Sequence, residues 1–444
     1  MIRSIHIANY KSVQDLQMEL GRFNVLIGEN GCGKTNILEA ISLGAAAASD
    51  KLDHEFLSSR GIRMADPDML RSAFPVENPS KTIEVGFTTH GGAKLSYRLT
   101  STGEPYAKWT SEPDVIFPKL VAISNPAAIM KNAAITKSAA IAHPVTITSE
   151  VPVTESESAS VSNAIDILQK LNPAIKDLDS VIKACTETNG LDAVTSRLRE
   201  VASRLHENRN NLLRTLVPIY PGSEILDFIL YSPENSALRV FEMDGQIQPL
   251  GIRGEGLFKL LRVFSQREGQ PELKKLNELL CLIDWFEDFQ IPDDLSNGQR
   301  LIALKDRFMA PQSGRLDQRN ANEGFLYLLF YFALFLSPET PAFFAIDNLD
   351  ASLNPKLGSM LVQRLVELSK EHGKQVIVTT HNPALLDGLN LNDPDQRLMV
   401  VSRGRKGVTR VRRVDPPQPV EGEEPVRLSE AFLRGYLGGL PSNF

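Results

Sequence analysis

The chain has 444 residues, 42% hydrophobic and 23% charged, with a formal net charge of −6 and a pI of about 5.8. This composition supplies a sizeable core and suggests two or three domains, or one large domain with insertions. It lacks the basic excess of a dedicated nucleic-acid binder, so any DNA contact has to be local.

No run of 18 or more apolar residues occurs, so no membrane span is expected. The N-terminus "MIRSIHIANYKSV" is too polar for a secretory signal. Cys32, Cys185 and Cys281 are widely spaced and suggest neither a disulfide framework nor a zinc site. A reducing, cytoplasmic location is the simplest expectation.

Residues 2–20 read as two short antiparallel strands joined around Lys11-Ser12. "RFNVLIGENGCGKTNILEAI" follows as an apolar strand, a glycine loop and a helix that starts near Lys34, with Ile37, Leu38 and Ile41 on one face. "TIEVGFTT" and "AKLSYRLT" alternate around Gly91-Gly92, a hairpin signal. Residues 131–162 are rich in Ala, Ser, Thr and Val and read as irregular and mobile. From about 163 to 216 the pattern turns helical, an insertion too broken for a long coiled coil.

"EILDFILY", "ALRVFEMDG" and "QIQPLGI" return to strands, and helical signals follow at 255–268 and 272–288. "EGFLYLLFYFALFLS", residues 323–337, is a buried helix stopped by "PETP", and "AFFAI" is the next strand. Asn354 caps a helix with Pro355 at its first position; it runs to about His372 and stops at Gly373. "QVIVTT" is a strand ending at His381. A hairpin, "LMVVSRGRKGVTRVRRV", a proline-rich linker and a last helix, "LSEAFLRGYL", complete the reading.

The strands at 23–27, 342–346 and 375–380 are short and nearly all apolar, as in a parallel sheet buried between helices. They are far apart in sequence, so the middle of the chain must be inserted between two ends of one nucleotide-binding domain. The expected fold is α/β, with a central mostly parallel sheet, an antiparallel β subdomain and a helical insertion. The expected divisions are 1–130, 131–222, 223–415 and 416–444.

"GENGCGKT", residues 28–35, matches G-x-x-x-x-G-K-[ST] at every fixed position, between a predicted strand and a predicted helix. Gly28, Gly31 and Gly33 let the backbone curl so that its N–H groups face phosphates, and the helix N-terminus adds its dipole. Lys34 is suited to the β/γ-phosphates and the Thr35 hydroxyl to Mg²⁺, so ATP and Mg²⁺ are the implied cofactors. Cys32 lies inside the loop, as a thiol open to activation or as a variable position. Asp347 ends an apolar strand where it could hold Mg²⁺ opposite Thr35, and His381 ends the next strand within reach of a γ-phosphate.

"GKTNILEAI", "FFAID", "DASLNP" and "TTHNP", in this order, resemble the ABC-type ATPases, within them the RecF/SMC-like and OLD-like branch of DNA repair and antiphage defence. The resemblance spans residues 1–415. It implies a head domain that binds ATP between two subunits, with nucleotide contacts over Asn30, Gly31, Gly33, Lys34, Thr35 and Asn36. A second copy would supply a signature motif. "LSNGQ", residues 295–299, looks like that motif but stands about fifty residues before Asp347, roughly twice the family spacing. "NANEGFLYLLFYFALFL" fits better: Asn322, Glu323 and Gly324 open a helix that runs into the acidic strand, as a phosphate contact across an interface requires. "RGEGLFKLL", residues 253–261, opens another helix, either for a related contact or as an ordinary helix start.

One position departs from the family. Where Asp-Glu is usual, the chain has Asp347-Asn348-Leu349-Asp350. Asn orients a water but cannot take its proton, so Asp350 or His381 is the expected substitute and hydrolysis is expected to be slow. A nucleotide-locked scaffold, or a site completed by a partner, are the other readings.

Only about sixty residues follow His381, too few for the nuclease domain that OLD-like relatives carry. The layout resembles the ATPase subunits of two-gene antiphage systems such as Septu, which implies a homo-oligomer and a separate nuclease subunit. Arg403, Arg405, Lys406, Arg410, Arg412 and Arg413 form the densest basic cluster, suited to DNA phosphates or to a solvated edge hairpin.

Overall fold

The computed structural model describes residues 1–63, 66–74, 82–101, 109–116, 223–240, 247–291, 302–310, 316–317, 319–416 and 426–439. Within the predicted helical insertion it describes 174, 177–182, 196–205 and 207–208, all helical. The predicted irregular segment 131–162, Cys185 and "LSNGQ" lie outside the described residues.

The strands of the described residues form three sheets. The N-terminal part holds β1 (Ile2–Tyr10), β2 (Val13–Glu19), β3 (Phe23–Ile27), helices α1 (Lys34–Ala48), α2 (His54–Ser59) and α3 (Pro67–Leu70), then β4 (Ile83–Thr89), β5 (Lys94–Thr100) and β6 (Thr110–Ile116). The C-terminal part begins with β7 (Ile229–Tyr231), α4 (Asn235–Leu238), α5 (Leu257–Ser265), α6 (Pro271–Leu280), β8 (Phe286–Gln290), β9 (Ala303–Asp306) and β10 (Leu316–Asp317). It continues with α7 (Glu323–Leu336), β11 (Phe343–Ile346), α8 (Pro355–Glu371), β12 (Gln375–Thr380), β13 (Gln396–Arg403), β14 (Thr409–Val414) and α9 (Leu428–Leu433).

The central sheet has the order β14-β13-β3-β12-β11-β7, parallel except for the edge strand β14. Its inner strands β3, β12 and β11 bury both faces, and their side chains alternate between two layers. Val376 and Val378 point into one core with α5 to α8, whereas Ile377 points into the other with α1 and the antiparallel sheet β2-β1-β4-β5-β6. α1 is buried almost all round because it lies between two sheets. The register pairs Thr380 with Ile27 and Ile346 with Val378. The strand ends that precede Gly28, Asp347 and His381 therefore share one edge of the sheet, where open α/β sheets bind ligands.

Several strand expectations fail for physical reasons. In "EILDFILY" a 3₁₀ turn, Ser223–Ile225, comes first and only Ile229–Tyr231 pairs. "ALRVFEMDG" begins inside α4, whose Ala237 and Leu238 are buried, so tertiary packing overrides β propensity. The described part of "QIQPLGI" is a loop, because Pro249 and Gly251 interrupt any ladder. The helix expected over 272–288 ends at Leu280, and Phe286–Gln290 pairs with β9 while Phe286 packs on Phe325. The strand β6 leaves little trace in the sequence, being an edge strand that contains Pro113.

The last helix docks on its own domain. Phe432 enters the main core, and Ser429 donates its backbone N–H and hydroxyl to Asp387 at 2.9 and 2.7 Å. Among the described residues, no helix is long and apolar enough to cross a membrane.

Candidate functional site

The glycine loop leaves β3 at Gly28 and enters α1 at Lys34. Gly33 has φ 108°, and a Cβ there would lie 2.1 Å from Thr409 Oγ1, so only glycine fits. Lys34 curls back over the loop, donating to the carbonyls of Gly28 (2.9 Å) and Glu29 (3.0 Å). Its Nζ also lies 3.4 Å from His381 Nδ1. Burial holds the Lys34 ammonium below its ordinary range, and the neighbouring Cys32, Asp347 and Asp350 oppose that shift. Asn30 and Gly31 are exposed at the loop tip. The Asn36 amide donates to Ser12 Oγ at 2.7 Å, so it braces the loop from β1-β2. Burial raises the Cys32 thiol, which is nearly fully covered, and this favours the variable-position reading over an activated thiol.

The acidic half of the site converges on the same loop. Thr35 Oγ1 donates to Asp347 Oδ2 at 2.8 Å, and Thr379 donates to the other carboxylate oxygen. At Mg–O distances of about 2.1 Å, two neighbouring octahedral oxygens stand about 3 Å apart, so this pair fits Mg²⁺. Among the described residues no three His, Cys, Asp or Glu side chains are grouped to hold a metal, so water and phosphate would supply the remaining ligands.

The turn after Asp347 is fixed from β12. Asn348 N donates to Thr379 Oγ1 at 2.9 Å and Leu349 N to the Thr379 carbonyl at 2.9 Å. Asn348 is exposed and left-handed, with φ 57°, a conformation that Asn tolerates and most residues do not. Asp350 is half-buried and accepts from His381 N at 3.3 Å. Burial and then Lys34 push the His381 imidazole below its usual value, leaving it neutral near pH 7. The structure thus brings together Lys34, Thr35, Asp347, Asp350 and His381. The Asn348 side chain has no such place.

Asn322 caps α7, accepting from Phe325 N at 2.8 Å. Asn322 and Glu323 are exposed and Gly324 is half-buried. Among the described residues no hydrogen bond or ion pair joins 322–324 to the phosphate loop 28–36. In "RGEGLFKLL", Glu255 is buried and accepts from the Arg253 backbone at 2.9 Å and its Nε at 3.0 Å. That segment is organised as a helix start, with Gly256 before its first residue.

The basic hairpin is less concentrated than its sequence suggests. Arg410 and Arg412 share one face of β14 while Arg413 lies on the other. Arg412 donates to the Leu437 carbonyl, and Arg403 stacks on Phe74 at 5.7 Å. Arg405 and Lys406 are exposed at the turn.

Sequence reasoning missed a buried charge cluster behind the loop. Glu39 is fully buried on α1 and accepts from Lys11, from Arg63 Nε at 2.6 Å and from Tyr10 at 3.3 Å. Arg63 is held in its charged form chiefly by this hydrogen bond, with a smaller contribution from Asp347, so its exposed guanidinium stands near the site. The legible signal was an acidic residue inside the apolar helix "NILEAI"; nothing near Arg63 points to it.

The central sheet, the loop at its strand ends and the flanking antiparallel sheet make this fold an ABC-type P-loop ATPase head. The solved Smc head bound to the C-winged helix domain of ScpA matches with a TM-score of 0.50 and 14% identity over 93% of this chain and 98% of that one, which shows the fold.

Residues 1–67 match a model described as an AAA ATPase domain. Residues 233–387 match one described as "AAA domain, putative AbiEii toxin, Type IV TA system". The chain is 48% identical over 110 residues to the DNA replication and repair protein RecF of Rickettsia akari (strain Hartford), 23% of this chain and 27% of that protein. It is 36% identical over 64 residues to a retron Ec83 probable ATPase of Escherichia coli, 14% of this chain and 12% of that one. The chain spans about a quarter of the length of the first curated relatives it matches. These matches support an AAA-type, RecF/SMC-like ATPase.

Proposed function

We propose that the protein is an ATP-binding switch that closes into a homodimer or higher homo-oligomer around ATP·Mg²⁺, hydrolyses it slowly and regulates a separate effector, a nuclease in antiphage defence. One observation carries the first part. Lys34, Thr35, Asp347, Asp350 and His381 converge, whereas the exposed helix start at Asn322–Gly324 has no bond to them. A helix N-terminus that serves phosphate but lies away from its own phosphate loop is suited to the loop of another copy.

Slow turnover follows from the missing Glu at position 348, with Asp350 as the remaining carboxylate beside His381. Similarity over 64 residues to a retron probable ATPase supports the ATPase part of this reading. Similarity to RecF, with Arg405 and Lys406 exposed, favours a second reading in which the protein binds DNA directly.

The test measures phosphate release and particle mass with and without ATP·Mg²⁺. Wild type should release phosphate and roughly double in mass, and Lys34→Ala should do neither. A wild type that stays monomeric with ATP sinks the composite site. DNA binding that weakens with salt and with Arg405→Ala/Lys406→Ala would favour the second reading.

A further inference from the structure

The phosphate loop is tied to two segments that stand apart from it in the sequence. Ser12 lies in the turn between β1 and β2, and Thr409 opens β14, 377 positions after Cys32. Both side chains are buried. They abut the loop at Gly33, where an added Cβ would lie 2.1 Å from Thr409 Oγ1 and 2.9 Å from Ser12 Oγ. The Thr409 backbone N–H also donates to the Ser12 carbonyl at 2.8 Å, which joins the two segments to each other.

Their side chains form a line of hydrogen bonds whose direction follows from counting protons. The Thr409 hydroxyl lies 2.9 Å from the Cys32 carbonyl, which can only accept, so its single proton goes there. Ser12 Oγ, 2.7 Å from Thr409 Oγ1, is then the donor of that pair. With its own proton committed, Ser12 accepts from the Asn36 amide at 2.7 Å. The line runs from Asn36 in the first turn of α1, through Ser12 and Thr409, to the Cys32 carbonyl. Each hydroxyl along it both donates and accepts.

The carbonyl at the end of the line fixes an amide of the loop. The Cys32–Gly33 peptide is trans, so its C=O and N–H point in opposite directions. Drawing the Cys32 carbonyl back onto Thr409 aims the Gly33 N–H away from β14. Among the described residues that N–H has no hydrogen-bond partner. Amides of such loops cradle phosphates. Glycine at position 33, with φ 108°, gives this peptide little orientation of its own, so the orientation has to come from outside the loop.

We propose that Thr409 is a positioning residue of the nucleotide site. Its hydroxyl, supported by Ser12 and Asn36, holds the Cys32–Gly33 peptide in the orientation that binds phosphate. Thr409 itself touches no nucleotide. This rests on the ATP-binding reading above, and not on dimerisation or on an effector.

The test is the affinity for ATP·Mg²⁺ and ADP·Mg²⁺ by titration calorimetry, with the unfolding midpoint of the nucleotide-free protein measured alongside. Thr409→Val keeps the shape and removes the hydroxyl, which leaves the Cys32 carbonyl without its donor and Ser12 without its acceptor. Both nucleotides should bind about tenfold more weakly, by the same factor, because they share the phosphates that the loop amides cradle. Phosphate release at saturating ATP should fall less than about threefold, since binding common to ground and transition states moves KM rather than kcat. Thr409→Ser keeps the donor and should restore both affinities to within about twofold of wild type. Ser12→Ala leaves Thr409 able to donate to Cys32 and should weaken both nucleotides only about threefold.

A Thr409→Val protein that melts earlier yet binds both nucleotides like wild type overturns the proposal, because Thr409 is then a structural brace alone. A loss confined to ATP, or one that Thr409→Ser fails to restore, overturns it too. Should Thr409→Val not fold, Ser12→Ala decides, and unchanged affinity there overturns the proposal. All these results leave the ATP-binding reading intact. A wild type that binds neither nucleotide overturns that reading and the proposal with it.

Discussion

Asn348 stands where the ABC-type pattern that the sequence resembles has Glu, and its backbone decides what a replacement would do. It is left-handed, exposed, and bonded to Thr379 through its N–H rather than its side chain. A straight-chain residue pays about 1–2 kcal/mol for that conformation, and Asn avoids part of it. Asn348→Glu should therefore lose about 1 kcal/mol of stability, a fall in Tm of about 2 °C for a chain of this size. Asn348→Gly should lose nothing or gain slightly. If Asp350 holds the proton-accepting role, Asn348→Gly should leave phosphate release within about threefold, whereas Asp350→Ala should lower it about a hundredfold, the small end of a general base's contribution. Denaturant unfolding and phosphate release at saturating ATP measure both. A Glu variant more stable than the Gly variant would refute the backbone argument. Normal turnover by Asp350→Ala would refute the assignment of the base.

Glu39→Gln should destabilise by about 3 kcal/mol, because it strands the half of the cluster contributed by Lys11. The Lys11 side chain is 17% exposed; the Arg63 side chain, 67% exposed, should add under about 1 kcal/mol of the loss. A loss below about 1 kcal/mol in chemical denaturation would contradict this. Lys374 is buried at the end of α7 and donates to the carbonyls of Ser337 and Thr340 at 2.8 Å and to Thr340 Oγ1 at 2.9 Å. Lys374→Met removes the side-chain donor from the Thr340 carbonyl, while the Ser337 carbonyl keeps the Thr340 hydroxyl at 2.9 Å; it should cost about 2 kcal/mol, read as a drop in the unfolding midpoint. His381 has its pKa lowered by burial and then by Lys34, so the unfolded chain binds its proton at higher pH than the folded one. Stability from this source is complete above about pH 6.5 and is lost as pH falls through the folded value; His381→Gln should flatten that slope in unfolding midpoints measured from about pH 5 to 7.5.

The elements legible in the sequence were those whose pattern is local. β3, β11 and β12 are apolar on both faces, and α8 announces itself through Asn354 and Pro355. The glycine loop, Asp347 and His381 follow from where these elements stop. α4 was misread because its burial depends on α7, distant in sequence, and β8 because its ladder is made with β9, outside the window that sets its own pattern. The same limit hid Arg63 and the contact of Ser352 with Glu323. Arg63 meets Glu39 across 24 positions, and Ser352 meets Glu323 across 29, with no spacing rule that connects them. Nor does a sequence reveal that position 348 is left-handed, which makes Asn there a backbone requirement as much as a lost carboxylate.

That last point bears on what the substitution does in the proposed switch. The turn separates three tasks over four residues. Asp347 faces Thr35, Asn348 supplies the left-handed bend, and Asp350 meets the backbone of His381. Moving the free carboxylate from the bend to its far end puts it under the strand end of β12 rather than out at the exposed corner. A general base contributes roughly 10²–10⁴-fold to a rate, so one displaced from its best position lengthens the time before hydrolysis by some part of that factor. In a site completed by a second copy, opening follows hydrolysis, so the closed assembly lasts longer in the same proportion. Binding should be little affected, because Lys34, Thr35 and Asp347, the groups suited to phosphate and Mg²⁺, are untouched by the substitution. On this account Asn348 and Asp350 set a clock on the ATP-bound state.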